Sequence, residues 1–123
     1  MGWQFTDDVE GYAASVLPLL SADPAWHTIG LTVVENARHR TAPLMAPETF
    51  GWWTQPDGRV SGAVSLTPPY PLLLEAVPVD ALRPLVTALG PRLTGANGPL
   101  GPVTELAALW AARTGGSPQL VMA

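Results

Sequence analysis

Proline and glycine divide this sequence into short segments, and that division constrains the fold more than any other feature. The 14 prolines and 12 glycines stand between apolar runs and are not gathered in one tract. Both residue types interrupt helices and strands, so they mark the ends of elements. With 47% hydrophobic residues over 123 positions, the segments can still bury a proper core. We therefore expect one domain, residues 1–123, built from many short elements.

Charge and missing residue types exclude several classes of function. The net charge is −4 and the six basic residues, all arginine, are scattered, so no basic surface for a nucleic-acid backbone is expected. No apolar run approaches the ~20 residues that span a bilayer, and acidic residues stand where a signal peptide carries basic ones. The absence of cysteine fits a reducing compartment. The sequence predicts a cytoplasmic protein without nucleic-acid or membrane partners, and its lysine-free composition is typical of a GC-rich bacterial genome.

Four segments have the spacing of apolar residues that is typical of helices. The first runs from about Val9 to Leu20, after Thr6-Asp7-Asp8, which offers an N-cap and negative charge, and Pro18 is expected to kink or shorten it. The second is predicted from about Pro24 to Arg40, with cationic residues at its end. The third, "PVDALRPLVTAL", should end at Gly90, and the fourth, "GPVTELAALWAART", at paired glycines.

Strand patterns fall between and around these helices. Gln55–Gly58, "QPDG", is a turn flanked by apolar segments and predicts a hairpin. Further short strands are expected at "WQFT", "SGAVSLT", "PLLLEAV" and "SPQLVMA", the last with an unpaired edge, and "RLTGANG" is expected to be a short strand or a turn. The sequence thus predicts an α+β fold with a mixed, mostly antiparallel sheet of about five strands and about four helices.

The loop "RLTGANGPLGP" nearly spells R-x-x-G-x-G/A, the pattern with which acetyltransferases of the GNAT superfamily hold the pyrophosphate of acetyl-CoA. Such a cradle needs consecutive backbone N–H donors before a helix N-terminus. Asn97 stands where the small residue belongs, Gly98 comes one position late, and Pro99 and Pro102 remove two donors. Asn97-Gly98 is also a strong turn dipeptide, so we interpret the loop as a turn into a helix.

The whole chain nevertheless resembles the N-terminal half of a family of bacterial GNAT acetyltransferases that is common in actinobacteria. The resemblance rests on "TDDVEGY", "HTIGLTVVENARHR", "FGWWTQPDGRVSGAVSLTPPYPLLLEAVP", "GANGP" and "ELAALWAARTGG". Members are about twice this length and carry the acetyl-CoA pattern in their C-terminal half. The resemblance implies a GNAT-like N-terminal lobe with no cofactor on this chain alone; a C-terminal half or a partner would supply the acetyl-CoA site.

Candidate ligand-binding residues are few. Trp52 and Trp53 are adjacent on a strand and must point to opposite faces, so one ring could line a cleft near Tyr70 unless helices cover both faces. Glu35 lies in an apolar helix, where it either faces solvent or joins a site. His27 is interpreted as structural or as a ligand contact, and the two histidines do not have the spacing of a metal pair. No catalytic residue is identified and no metal site is expected.

Two functional hypotheses remain open. In the first, the chain is the acceptor-side or scaffolding half of a GNAT-type acetyltransferase, inactive alone and paired with a catalytic half. In the second, it is a free-standing small enzyme or small-molecule-binding protein that has lost acetyl transfer. The predicted unpaired edge strand also favours a homo-oligomer.

Overall fold

Helices and strands alternate along the chain in the computed structural model, which describes residues 2–25, 27–39, 48–67, 71–93, 95–114 and 119–120. The elements of these ranges are β1 (Gly2–Thr6), α1 (Val9–Ser21), α2 (Thr28–Arg38), β2 (Thr49–Thr54), β3 (Val60–Leu66), β4 (Leu72–Glu75), α3 (Val79–Leu89), a 3-10 turn (Gly90–Arg92), β5 (Gly95–Asn97), α4 (Leu100–Thr114) and β6 (Gln119–Leu120).

The strands form one sheet in the order β1-β2-β3-β4-β5-β6. The first four pair antiparallel, whereas β4 with β5 and β5 with β6 pair parallel. The two parallel pairs are possible because α3 and α4 make the crossovers that a parallel connection requires. The expected α+β class and the mixed, mostly antiparallel sheet are confirmed; the described ranges hold six strands where about five were expected.

Helices cover both faces of the sheet, and each face has its own apolar cluster. On one side lies the α1–α2 cluster, whose buried members are Tyr12, Ala13, Val16, Leu20, Val34, Phe50 and Ala63. On the other side lies the larger α3–α4 cluster, which includes Trp53, Val64, Leu74, Leu82, Leu85 and Val103. Successive strand residues alternate between the clusters because side chains of a strand point to opposite faces.

Local sequence signals explain where the first helix begins and how far it runs. Asp8 is the N-cap of α1, and its carboxylate accepts hydrogen bonds from the backbone N–H groups of Glu10 at 3.1 Å and Gly11 at 3.3 Å. Pro18 lies inside the helix, which nevertheless continues to Ser21. Of the two expected effects of Pro18, a kink or a shortening, the shortening does not occur.

Helix α2 is shorter than its pattern predicted. It starts at Thr28, not near Pro24, because Asp23 to Ala25 form a turn: the N–H of His27 bonds to the Asp23 carbonyl at 3.1 Å. The hydroxyl of Thr28 donates to the carbonyl of Pro24 at 3.0 Å, which satisfies that group before the helix begins. The described helix ends at Arg38, with His39 as its C-cap.

Candidate functional site

A buried histidine–glutamate pair joins the start of α2 to the end of β4. The Nδ1 atom of His27 is hydrogen-bonded to Oε2 of Glu75, although 48 residues separate them. His27 is only 5% exposed and Glu75 6%, so neither group has free access to water. Burying a carboxylate is costly unless it is paired, and the imidazole is its partner here.

Register places Glu75 on the α1–α2 side of the sheet. It stands opposite Ala63 in the antiparallel β3–β4 pairing, and Ala63 belongs to the α1–α2 cluster. Its neighbour Leu74 points the other way, into the α3–α4 cluster. The next residue, Ala76, has a φ of 54°, which is unusual for a non-glycine residue and turns the chain sharply out of β4. Glu75 is thus the last residue of its strand and faces helix α2.

Gly30 lets helix α2 come close to this carboxylate. A Cβ at position 30 would lie 2.7 Å from Oε1 of Glu75 and 3.0 Å from its carboxyl carbon. These separations are shorter than real Cβ contacts allow, so any larger residue would push the Glu75 side chain aside. His27 and Gly30, three positions apart, therefore both contact Glu75.

Tyr12 adds a third titratable group from α1. Burial, and secondarily the negative charge of Glu75, raises the pKa of the Tyr12 phenol well above its ordinary value. The ring is 2% exposed and stacks on Phe50 at a centroid distance of 4.9 Å. Tyr12 therefore remains a neutral phenol over the physiological pH range.

In this pair, the carboxylate of Glu75 orients the imidazole of His27. When the ring is neutral, the carboxylate of Glu75 favours the tautomer with its proton on Nδ1, which leaves Nε2 as the basic nitrogen. Titratable groups that converge in one buried place are candidates for a functional site, and they also occur as structural networks. The cluster His27, Glu75, Tyr12 and Gly30 is the candidate site of this chain.

The structure separates the other predicted site residues. Trp53 is 4% exposed in the α3–α4 cluster, whereas Trp52 is half-buried and packs against the α1–α2 cluster. Helices thus cover both faces of the sheet at these two rings. This is the expected alternative in which neither tryptophan lines an open cleft. Tyr70 lies outside the described residues.

Glu35 faces solvent, which is one of the two positions that helical geometry predicted for its side chain. Its side chain is 61% exposed and Oε1 is 2.5 Å from Nε2 of His39, one turn later on α2. It does not reach His27. Of the four predicted ligand-binding residues that the structure describes, only His27 belongs to the candidate site.

Sequence reasoning missed Glu75 as the partner of His27. The signal was present: "LLLEAV" is an apolar strand with one carboxylate at its end. An ionisable residue at the end of such a strand needs a partner if it is buried, but the sequence does not indicate which distant residue supplies it.

The loop "RLTGANGPLGP" contains a short strand that is followed by a helix. Gly95–Asn97 forms β5 and pairs parallel with β4 on one side and β6 on the other. A Cβ at Gly98, where φ is 156°, would lie 2.9 Å from the carbonyl oxygen of Leu74, so this glycine serves backbone packing. The N–H of Val103 bonds to the Pro99 carbonyl at 3.1 Å. The interpretation of this loop as a turn into a helix agrees with this geometry.

No protein-family profile, curated protein or solved structure matches the chain. Within the described ranges, no three His, Cys, Asp or Glu side chains are grouped so that they could hold a metal ion. In the same part of the chain, no helix has the length and apolar character needed to cross a bilayer.

Proposed function

We propose that this chain is the acceptor-side or scaffolding half of a GNAT-type acetyltransferase, not catalytic alone, whose acetyl-CoA site is supplied by a second half or a second chain. The proposal starts from the sequence resemblance. Its expected fold class, α+β with a mixed sheet, agrees with the architecture described above.

The observation that carries the proposal is the backbone geometry around Gly95 and Gly98 in the loop "RLTGANGPLGP". Three of its residues, Gly95–Asn97, lie in β5 between two neighbouring strands, and a Cβ at Gly98 would meet the Leu74 carbonyl. Pro99 and Pro102 have no N–H to offer at the start of α4. A pyrophosphate cradle requires several free N–H groups directed at one point, so this loop is poorly suited to hold acetyl-CoA.

The same proposal includes the cellular setting and the partners. We place the chain in the bacterial cytoplasm, associated with a catalytic partner half or with a second copy of itself. Strand β6 pairs with β5 on one side, and no strand of the described residues lies on its other side. A free strand edge favours pairing with another chain. Sedimentation velocity should therefore show self-association that increases with concentration, and a monomer throughout would contradict it.

A second candidate function is a free-standing small-molecule-binding protein or small enzyme on the same fold. The buried His27–Glu75 pair beside Tyr12 favours it, because an oriented imidazole can take or give a proton. Under this alternative the ligand would contact the His27–Glu75 pair and not only Trp52 and Trp53.

One experiment separates the two candidates. The natural protein, detected in cell extract with an antibody raised against this chain, is passed over immobilised coenzyme A beside the purified 123-residue chain. We expect the natural protein to be retained, through a second half or partner, and the purified chain to flow through. If neither is retained, the acetyltransferase proposal is wrong and the free-standing binder is favoured.

A further inference from the structure

We propose that the His27–Glu75 pair is a latch that holds α2 on the sheet, and that α2 leaves the sheet before the rest of the fold opens when this pair is broken. The inference concerns the fold itself and is independent of the acetyltransferase proposal. It rests on how few residues α2 buries, on the position of the pair, and on the groups that face it.

Helix α2 buries few of its residues. Of its 11 residues only Gly30 and Val34 are fully buried, and the glycine has no side chain to contribute. Leu31, Val33 and Ala37 are partly buried against the α1–α2 cluster, and Arg38 pairs with the exposed Glu10 of α1. Helix α3 has the same length and buries five residues. Ile29 on α2 is 49% exposed. Since local opening is easiest where few apolar side chains are buried, α2 should open more readily than α3.

The latch lies at the N-terminal end of α2. His27 is the N-cap residue, but its side chain makes no capping hydrogen bond. The imidazole is bonded instead to Glu75 of the sheet, and Gly30 packs on the same carboxylate. The polar contact therefore joins two layers and does not stabilise the helix end on which it stands. Loss of the contact removes the main link between the first turn of α2 and β4.

Removal of the carboxylate charge would weaken this link. Among the described contacts, the titratable groups facing Glu75 are His27 at the start of α2 and Tyr12 on α1. From the other elements packed against it, α2 presents Gly30 and β3 presents Ala63, and neither can ionise. An uncharged side chain at position 75 would leave the buried imidazole with a weaker hydrogen-bond partner. The start of α2 would then separate from β4 more readily.

The test is amide hydrogen exchange, read separately for α2 and α3 and corrected for intrinsic exchange rates. Glu75→Gln keeps the side-chain shape and removes the charge; Glu35→Gln does the same to the exposed pair with His39 on the same helix. We expect Glu75→Gln to lower protection in α2 by about tenfold while α3 changes little, because a charge-assisted hydrogen bond is about twice as strong as a neutral one. Glu35→Gln should leave both helices nearly unchanged. Equal loss in α2 and α3 with Glu75→Gln would overturn the proposal.

The double variant His27→Gln/Glu75→Gln, which replaces the pair with two amides, provides a second arm in case the single variant folds poorly. In this variant α2 should also lose protection while α3 changes little. Equal protection of α2 with and without the pair would overturn the latch.

Discussion

Trp52 and Trp53 are neighbours in β2 and face opposite helical layers. The ring of Trp53 packs edge-on against Trp3 at a centroid distance of 5.6 Å, and the ring of Trp52 lies 6.5 Å from Tyr12. One tryptophan thus belongs with the α3–α4 cluster and the other with the α1–α2 cluster. The two indoles connect the sheet to both layers, so both have a structural role.

The first prediction is a contrast between these tryptophans. Trp53→Ala should lower the free energy of unfolding by about 3–5 kcal/mol, because the indole is buried and its removal leaves a cavity. Trp52→Ala should cost less, since its ring is half-buried and water can fill part of the space. Urea unfolding of the two variants checks this, and a larger loss for Trp52→Ala would contradict the assignment of faces.

The second prediction concerns the close approach of Gly30 to Glu75. Gly30→Ala should destabilise the chain by about 1–3 kcal/mol, because the new methyl group must displace a buried carboxylate from His27. Thermal unfolding measures the change.

Gly101→Ala is the matched control for that substitution. Gly101 is also helical, in α4, and a Cβ there meets nothing within 4 Å. Alanine should therefore be neutral or stabilising by up to about 1 kcal/mol, because it has the higher helix propensity. If both variants were equally stable, Gly30 would not be in contact with the pair.

The third prediction follows from the raised pKa of Tyr12. The folded chain keeps the phenol proton at a pH where the unfolded chain has lost it, so the unfolded state binds fewer protons. The free energy of unfolding should therefore fall as the pH rises above about 10, by up to about 1.4 kcal/mol per pH unit. Tyr12→Phe should remove this component, which denaturant unfolding across the alkaline range can measure. An unchanged alkaline slope in Tyr12→Phe would contradict it.

Elements encoded by neighbouring residues could be predicted from the sequence. Asp8 caps α1 as expected, because a cap needs only a carboxylate two or three residues before free N–H groups. The turn Gln55–Gly58 joins β2 and β3, with the Gln55 N–H bonded to the Arg59 carbonyl at 2.8 Å. Gly90, with a φ of 49°, follows the end of α3. In each case the chemistry is complete within a few positions.

Features that depend on distant contacts could not be predicted. The early residues of the expected α2 have helical character, but His27 is bonded to the sheet and the helix begins after it. Glu75 and His27 meet only because α2 packs against the face of the sheet on which Glu75 lies. The burial of both tryptophans likewise depends on two helical layers, and strand alternation alone could not decide whether either face was covered.

The most direct test of the proposed function is an isothermal titration of the purified 123-residue chain with acetyl-CoA. The proposal predicts no binding in the micromolar range, because Gly95–Asn97 form strand β5 between two neighbouring strands and Pro99 and Pro102 offer no N–H at the start of the next helix. The integrity of the sample is confirmed by a cooperative unfolding transition in the same preparation. Saturable micromolar binding of acetyl-CoA by this folded chain would contradict the claim that its cofactor site lies on another half.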